Sequence, residues 1–351
     1  MVVGGKGRVK TLCAPLSSSC WHKRNIGMIA ANKTNPVASE NEMRYQHWRT
    51  RVSYRCDLPL SVDKLSMQFK MLVLLSKVPL SVLHALAGFG AFVAFYVIRY
   101  RPRSAYENIS YALPELNTQA QHELVKAYCR NAADVLVETI KAYGMSKEML
   151  TERVRITNID VLDRFVRANQ SIILLGTHVA NWEWVFLSCS IQLPFVINAV
   201  YKPMRNVGLN AFLLATRSRF GASLFTPDEA LRVLVKSGDK LRAISLVVDH
   251  VPASKDEAHW VQFLNREASC VVGFEKLARL RQYPVVLASR RRTRRGHYEV
   301  TFEILGEPPY DSQSFYLVER YMASLEQSIK ANPADWLWNY RRWRNKKPFY
   351  A

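Results

Sequence analysis

The chain has 351 residues, 49% apolar and 22% charged, the balance of an ordinary globular protein with one large or two small domains. Forty-nine lysines and arginines against 29 acidic residues give a formal net charge of +20, which favours an anionic partner: a phospholipid surface, a phosphorylated substrate, an acidic carrier protein or nucleic acid. The six scattered cysteines (Cys13, Cys20, Cys56, Cys129, Cys189, Cys270) include no C-x-x-C pair, so they support neither a metal site nor a disulfide framework and suit a reducing compartment.

Residues 1–66 lack a sustained hydrophobic period and contain no apolar stretch of secretory-signal type. They are expected to be disordered, or to be an extension upstream of a translation start at Met67. From Met67 the character changes. Val78 to Ile98 carries no acidic or basic side chain except His84, and roughly 20 apolar residues suffice to span a bilayer. Lys70 and Lys77 precede the run and Arg99, Arg101 and Arg103 follow it. A span would therefore leave the downstream chain in the cytoplasm by the positive-inside bias. A buried or interfacial helix is the alternative for the same residues. Residues 67–104 are accordingly expected to form a membrane anchor and 105–351 the main domain.

Asn117-Thr118 opens a long predicted helix that runs to Lys141 and stops at Gly144. Strands are then expected at Val154–Ile156, Ser171–Leu175, Phe195–Val200, Ala243–Val248 and Pro284–Ala288, with helical stretches between them. Thr226, Pro227 and Glu229 form a capping box for a helix to Lys236, ended by Gly238. Tyr298–Ile304 reads as a closing antiparallel strand after an arginine-rich turn. Alternation of this kind predicts an α/β fold, a largely parallel central sheet flanked by helices, behind an N-terminal membrane-anchor helix. Ligands of such sheets bind beyond the carboxyl ends of the strands. There the sequence puts His178, Tyr201-Lys202, Asp249-His250 and Ser289-Arg290.

His178-Val179-Ala180-Asn181-Trp182-Glu183 follows the first core strand. His178 in the turn and Glu183 in the first turn of a following helix would let a carboxylate hold one imidazole nitrogen while the other takes a proton. Asn181 is suited to cap that helix. Lys202 and Arg217 are candidate phosphate contacts, or simply surface cations, and Asp249 either bridges to one of them or is a buried structural carboxylate. Arg290, at the head of a run that continues through Arg295, faces the same choice between a solvated turn and an anionic ligand. Trp336, Trp338 and Trp343 with Arg341 and Arg342 suit a lipid–water interface, or equally the stacking and neutralisation of nucleic acid. No helix-turn-helix, RNA-binding aromatic motif or zinc spacing supports nucleic acid. A non-catalytic basic membrane- or nucleic-acid-binding protein is the reading of another class.

Four blocks together carry a resemblance: Asn108–Leu116, the H-x4-E block, Val247-Val248-Asp249-His250, and Asn332-Pro333-Ala334-Asp335-Trp336-Leu337-Trp338 through Arg344. Over roughly residues 70–347 the chain resembles the lysophospholipid-acyltransferase-like superfamily, and within it the bacterial lipid A late (lauroyl and myristoyl) acyltransferases. The resemblance implies a membrane-associated O-acyltransferase with no cofactor. Its donor would be acyl carrier protein or acyl-CoA and its acceptor a lipid A precursor, at the cytoplasmic side of a bacterial inner membrane. It further implies His178 as general base and Glu183 as the group that orients it. The resemblance leaves an aminolipid, lysophospholipid or glycolipid as the alternative acceptor. The chain departs from the family pattern at His250, where Gln is usual, and at Tyr340, where His is usual.

Overall fold

The computed structural model describes residues 66–98, 102–227, 229, 241–252, 258–310 and 314–345, all within one compact unit, Arg55–Ala351. Residues 1–65 and the body of the helix expected after Thr226 lie outside the described residues, although Glu229 Oε2 does accept from the Thr226 N–H at 2.9 Å and hydroxyl at 3.0 Å as a capping box requires.

Helices α1 (Met67–Lys77) and α2 (Leu80–Phe92) are separated at Val78-Pro79, and α2 runs on into one π-helical turn, Val93–Val97. Pro79 ends α1 because it has no N–H for the helix ladder. After α3 (Arg103–Ala112) comes α4 (Thr118–Ala142), capped by Asn117, whose side chain accepts from the Ala120 N–H at 2.9 Å. Gly144 then lets the chain pass close to the Ser76 carbonyl, where any Cβ would collide. Helix α5 (Lys147–Arg153) leads to β1 (Val154–Ile156), and α6 (Asp163–Arg167) to β2 (Ile172–Gly176).

The core α/β unit follows: α7 (Trp182–Gln192), β3 (Val196–Val200), α8 (Val207–Ser218), β4 (Ser223–Phe225) and β5 (Arg242–Val247). A separate antiparallel hairpin, β6 (Ala258–Phe263) and β7 (Arg266–Val271), precedes α9 (Gly273–Arg281). Strands β8 (Val285–Arg294) and β9 (His297–Gly306), then α10 (Tyr316–Ala331), complete the fold. The seven-stranded sheet has the order β1-β9-β8-β2-β5-β3-β4, parallel throughout except for the β8/β9 pair. The expected mixed fold, a mostly parallel sheet flanked by helices, is present.

Strand β2 lies at the centre because both its faces are buried. Ile172 to Leu175 are almost inaccessible, and each such side chain contributes about 1.5–3 kcal/mol relative to exposure. From β2 the chain moves outward through β3 and β4, returns to β5, then crosses to β8 on the other side. Such a switch point opens a crevice at the strand carboxyl ends.

Candidate active site

Register decides what meets at that crevice. Gly176 pairs with Val247, and Leu175 with Leu287, so His178, Asp249 and Arg290 stand level at the ends of β2 and β5 and along β8. His178 and Asp249 each come two residues after their strand ends. The turn between β2 and α7 is tight. Ala180 takes a positive φ of 52°, which costs an L-residue roughly 1–2 kcal/mol, and its N–H donates to Asp335 O at 2.8 Å. Val179 forms an isolated antiparallel bridge with Trp336. Asn181 caps α7 as expected, accepting from the Trp184 N–H at 2.9 Å, while its Nδ2 donates to Glu138 Oε2 at 2.7 Å.

The partner of His178 is Asp249, not Glu183. Its backbone N–H donates to Asp249 Oδ2 at 2.9 Å, and its Nδ1 lies 2.6 Å from Oδ1. Trp336 Nε1 donates to Oδ2 at 3.4 Å. Burial alone would raise the Asp249 carboxyl, but the His178 charge and hydrogen bonds outweigh it and hold that carboxyl well below the usual carboxylate range. An ionised Asp249 fixes the tautomer with the proton on Nδ1, leaving Nε2 as the basic nitrogen. Glu183 instead receives a bidentate pair from Arg217, with Nε 2.9 Å from Oε2 and Nη2 on Oε1, and Trp182 Nε1 at 3.2 Å. The reason is direction: Glu183 starts a helix whose neighbour α8 presents Arg217, whereas β5 delivers Asp249 beside β2.

Below His178 lies a cavity of about 290 Å³ between one sheet face and α7. Gly176, Ala199, Ser245, Val247 and Ala288 line it from the sheet and Val185, Phe186 and Cys189 from the helix, the apolar part of a lining that also holds Glu183, Lys202, Arg217, His250 and Arg290. A Cβ at Gly176 would come within 3.2 Å of both Arg290 Nη2 and Val247 Cγ2, so glycine keeps this passage open. Arg290 is buried along it and donates to Thr177 Oγ1 at 3.1 Å, with its Nε unpartnered; burial lowers its pKa. Lys202 is exposed at the lining's outer edge. A broader groove of about 600 Å³ between β6 and α10 shares no lining residue with this cavity.

Other expected roles change. Trp336, Trp338 and Arg342 are buried, so they cannot face lipid; Arg342 donates to Ser269 O at 2.8 Å, and Trp343, half-buried, stacks on Phe263 at 6.1 Å. Arg341 alone of that proposed interface set is exposed. This block is the wall behind Asp249. The arginine run is mostly strand: Arg291 pairs with Glu299, and Arg292 and Arg295 with Asp134. The reading from sequence placed His250 at this edge but gave it no role. Its ring stacks on His178 at 4.0 Å, 4° from parallel, and on Tyr340 at 4.1 Å. Its position beside Asp249 was the available signal.

An imidazole oriented by a buried carboxylate, beside a cavity with an apolar wall, is equipped to deprotonate a hydroxyl next to a bound alkyl chain. A family model described as bacterial lipid A biosynthesis acyltransferase matches residues 62–345. None of the curated proteins compared matches the chain. With most of its length matched, the described site included, the chain belongs to the bacterial lipid A biosynthesis acyltransferases and is an acyltransferase of that type.

Proposed function

We propose that this acyltransferase moves a fatty acyl chain from the thioester of acyl carrier protein or acyl-CoA to a hydroxyl of a lipid A precursor, with His178 as general base. The observation that carries this reading is the His178–Asp249 pair beside the cavity with its apolar wall. His178 Nε2 takes the acceptor proton as the hydroxyl oxygen attacks the thioester carbonyl. Collapse of the tetrahedral intermediate breaks the C–S bond, and the imidazolium returns its proton to the departing thiolate. Asp249 stabilises the imidazolium; a base held in this way typically contributes about 10²–10⁴-fold. Arg290 suits the negative charge developing on the carbonyl oxygen, and exposed Lys202 a phosphate of donor or acceptor. The Glu183–Arg217 pair serves as a wall of the site rather than as a proton relay. The protein works at the cytoplasmic leaflet of the bacterial inner membrane, where both substrates meet.

The test is mass spectrometry of lipid A and total lipids from cells lacking the gene, complemented with the native chain or with His178→Ala. Lipid A short of one acyl chain, restored only by the native protein, is expected. A missing aminolipid or phospholipid species would replace the acceptor and keep the chemistry. Equal restoration by both proteins would remove His178 from the mechanism.

A further inference from the structure

The stretch Leu80–Val97 is long and apolar enough to cross a membrane, with a mean hydropathy of 1.9 and only 17% of it buried. It does not stand away from the domain. It lies antiparallel along α4, fastened at intervals down the length of both helices. Lys141 Nζ donates to the carbonyls of Ser76 at 3.0 Å and Val78 at 2.9 Å. One turn of α4 earlier, Glu138 Oε1 lies 2.8 Å from His84 Nε2. One turn earlier again, Asp134 pairs with Arg295, which also donates to His84 O at 2.6 Å. Near the far end, Lys126 Nζ sits 5.0 Å from the centre of the Tyr96 ring. From Lys141 to Lys126 is about 22 Å of helix.

The inner stripe of α2, Leu83, His84 and Ala87, is buried, whereas Val82, Leu86, Phe89 and Phe92 are exposed. Their spacing puts them on the opposite, outward side of one helix. Exposed Lys70 and Lys77 precede this apolar side and exposed Arg103 follows it.

Two arrangements would let the stretch span a bilayer, and both conflict with these contacts. Peeling α2 from α4 would leave Glu138 without His84 and break the Arg295 clasp. Inserting α4 along with α2 would carry Lys126, Arg130, Asp134 and Glu138 into hydrocarbon. The inward side of α2 is tied to α4, and its apolar outward side is flanked by cations that can reach lipid headgroups, which fits the plane of a membrane surface beneath the domain. We infer that α2 lies flat as an in-plane seat on the cytoplasmic leaflet, docking the whole domain on an anionic phospholipid surface without crossing it. The seat extends the membrane placement proposed above, and its readouts are positional, so they stand or fall independently of acyl transfer.

The full chain is tested in two ways. Single cysteines, Ser66→Cys and Arg103→Cys, are placed on either side of the stretch in a background lacking the native cysteines. They are probed with a membrane-impermeant maleimide in inverted and right-side-out inner-membrane vesicles. Both positions are expected to react in inverted vesicles and neither in right-side-out ones; reaction from opposite sides would overturn the inference. Flotation with liposomes of phosphatidylethanolamine and phosphatidylglycerol is then compared for the native chain and Leu86→Asp/Phe89→Asp. Both residues are exposed, so the fold is expected to keep its thermal midpoint while the floating fraction falls at least tenfold. Unchanged flotation of the variant, or no flotation of the native chain, would also overturn it.

Discussion

Asp249 receives two hydrogen bonds from His178, at 2.9 Å from the backbone and 2.6 Å from Nδ1, so it fixes both where the ring sits and which nitrogen is basic. Asp249→Asn keeps the shape but loses the charge that stabilises an imidazolium. Its kcat is expected to fall about 10²–10⁴-fold with KM changed only a few-fold, read in steady-state transfer assays. Glu183→Gln is expected to cost far less in kcat, because Glu183 answers to Arg217. The reverse ranking, with both variants equally folded, would hand the orienting role to Glu183. His250 carries a separate expectation. Burial, with the nearby His178, Arg342 and Arg344 charges, pushes its pKa down to about 4, against the pull of Asp249. The unfolded chain takes up this proton near pH 6.5 and the folded one only near 4, so stability falls as pH drops through that window. The ring is only half-buried, and screening holds the loss to about 1–2 kcal/mol. Asp249 acts lower: its contribution is whole above about pH 4 and is lost as pH falls further. His250→Gln is therefore expected to flatten the thermal midpoint between pH 6.5 and 4; parallel curves for the two proteins would exclude this origin.

At the scale of elements, α7 and the sheet face beneath it form the two walls of the cavity, and alternation along β5 sets its depth. Ser245, Val247 and Asp249 share one face, so Ser245 lines the cavity two layers below the dyad. Ser245→Leu adds bulk there. It is expected to lower activity on the longest accepted acyl donor roughly tenfold or more relative to a shorter one, since apolar pockets discriminate at about 1–3 kcal/mol per methylene. An unchanged ratio would put the chain terminus elsewhere. The strands that build this cavity were readable because β2, β3 and β5 are short apolar, β-branched-rich runs bounded by polar ends, and α4 because Asn117 and Gly144 bracket it. The β6/β7 hairpin was not. Its two turn residues, Leu264 and Asn265, adopt positive φ of 48° and 62° without the glycine that announces such a turn. The tryptophans of the C-terminal block misled for a related reason: indole and guanidinium side chains look alike in sequence whether they sit at a lipid interface or in a core that supplies acceptors. Only tertiary contact, Trp336 on Asp249 and Arg342 on Ser269, tells them apart. Likewise the pairing of His178 depended on which strand lies beside β2, information that the spacing to Glu183 does not contain.

Across the whole molecule, one buried carboxyl joins α2 to the His178 turn. Glu138 on α4 meets His84 of α2, accepts from Asn181, the cap of α7, at 2.7 Å, and accepts from the Tyr298 hydroxyl of β9; its own carbonyl accepts from Trp184 Nε1 at 2.8 Å. Three elements, α2, α7 and β9, thus converge on a side chain of α4 that has no solvent exposure. Removing the carboxyl leaves three buried polar groups short of a partner, and breaking a buried pair of this kind costs about 3–5 kcal/mol. In a domain of this size each kcal/mol moves the thermal midpoint by about 2–4 °C, so Glu138→Ala is expected to melt roughly 6–20 °C lower. Glu138→Gln retains an acceptor and is expected to lose less. The informative quantity is the coupling between sites. If the carboxyl transmits the position of α2 to the His178 turn, Glu138→Ala and His84→Ala will each lower kcat at temperatures where the protein remains folded. The double variant will then lose no more than the worse single one, because both changes cut the same link. Losses that simply add, or a full kcat in both single variants, would reduce Glu138 to a structural bolt with no line to the base.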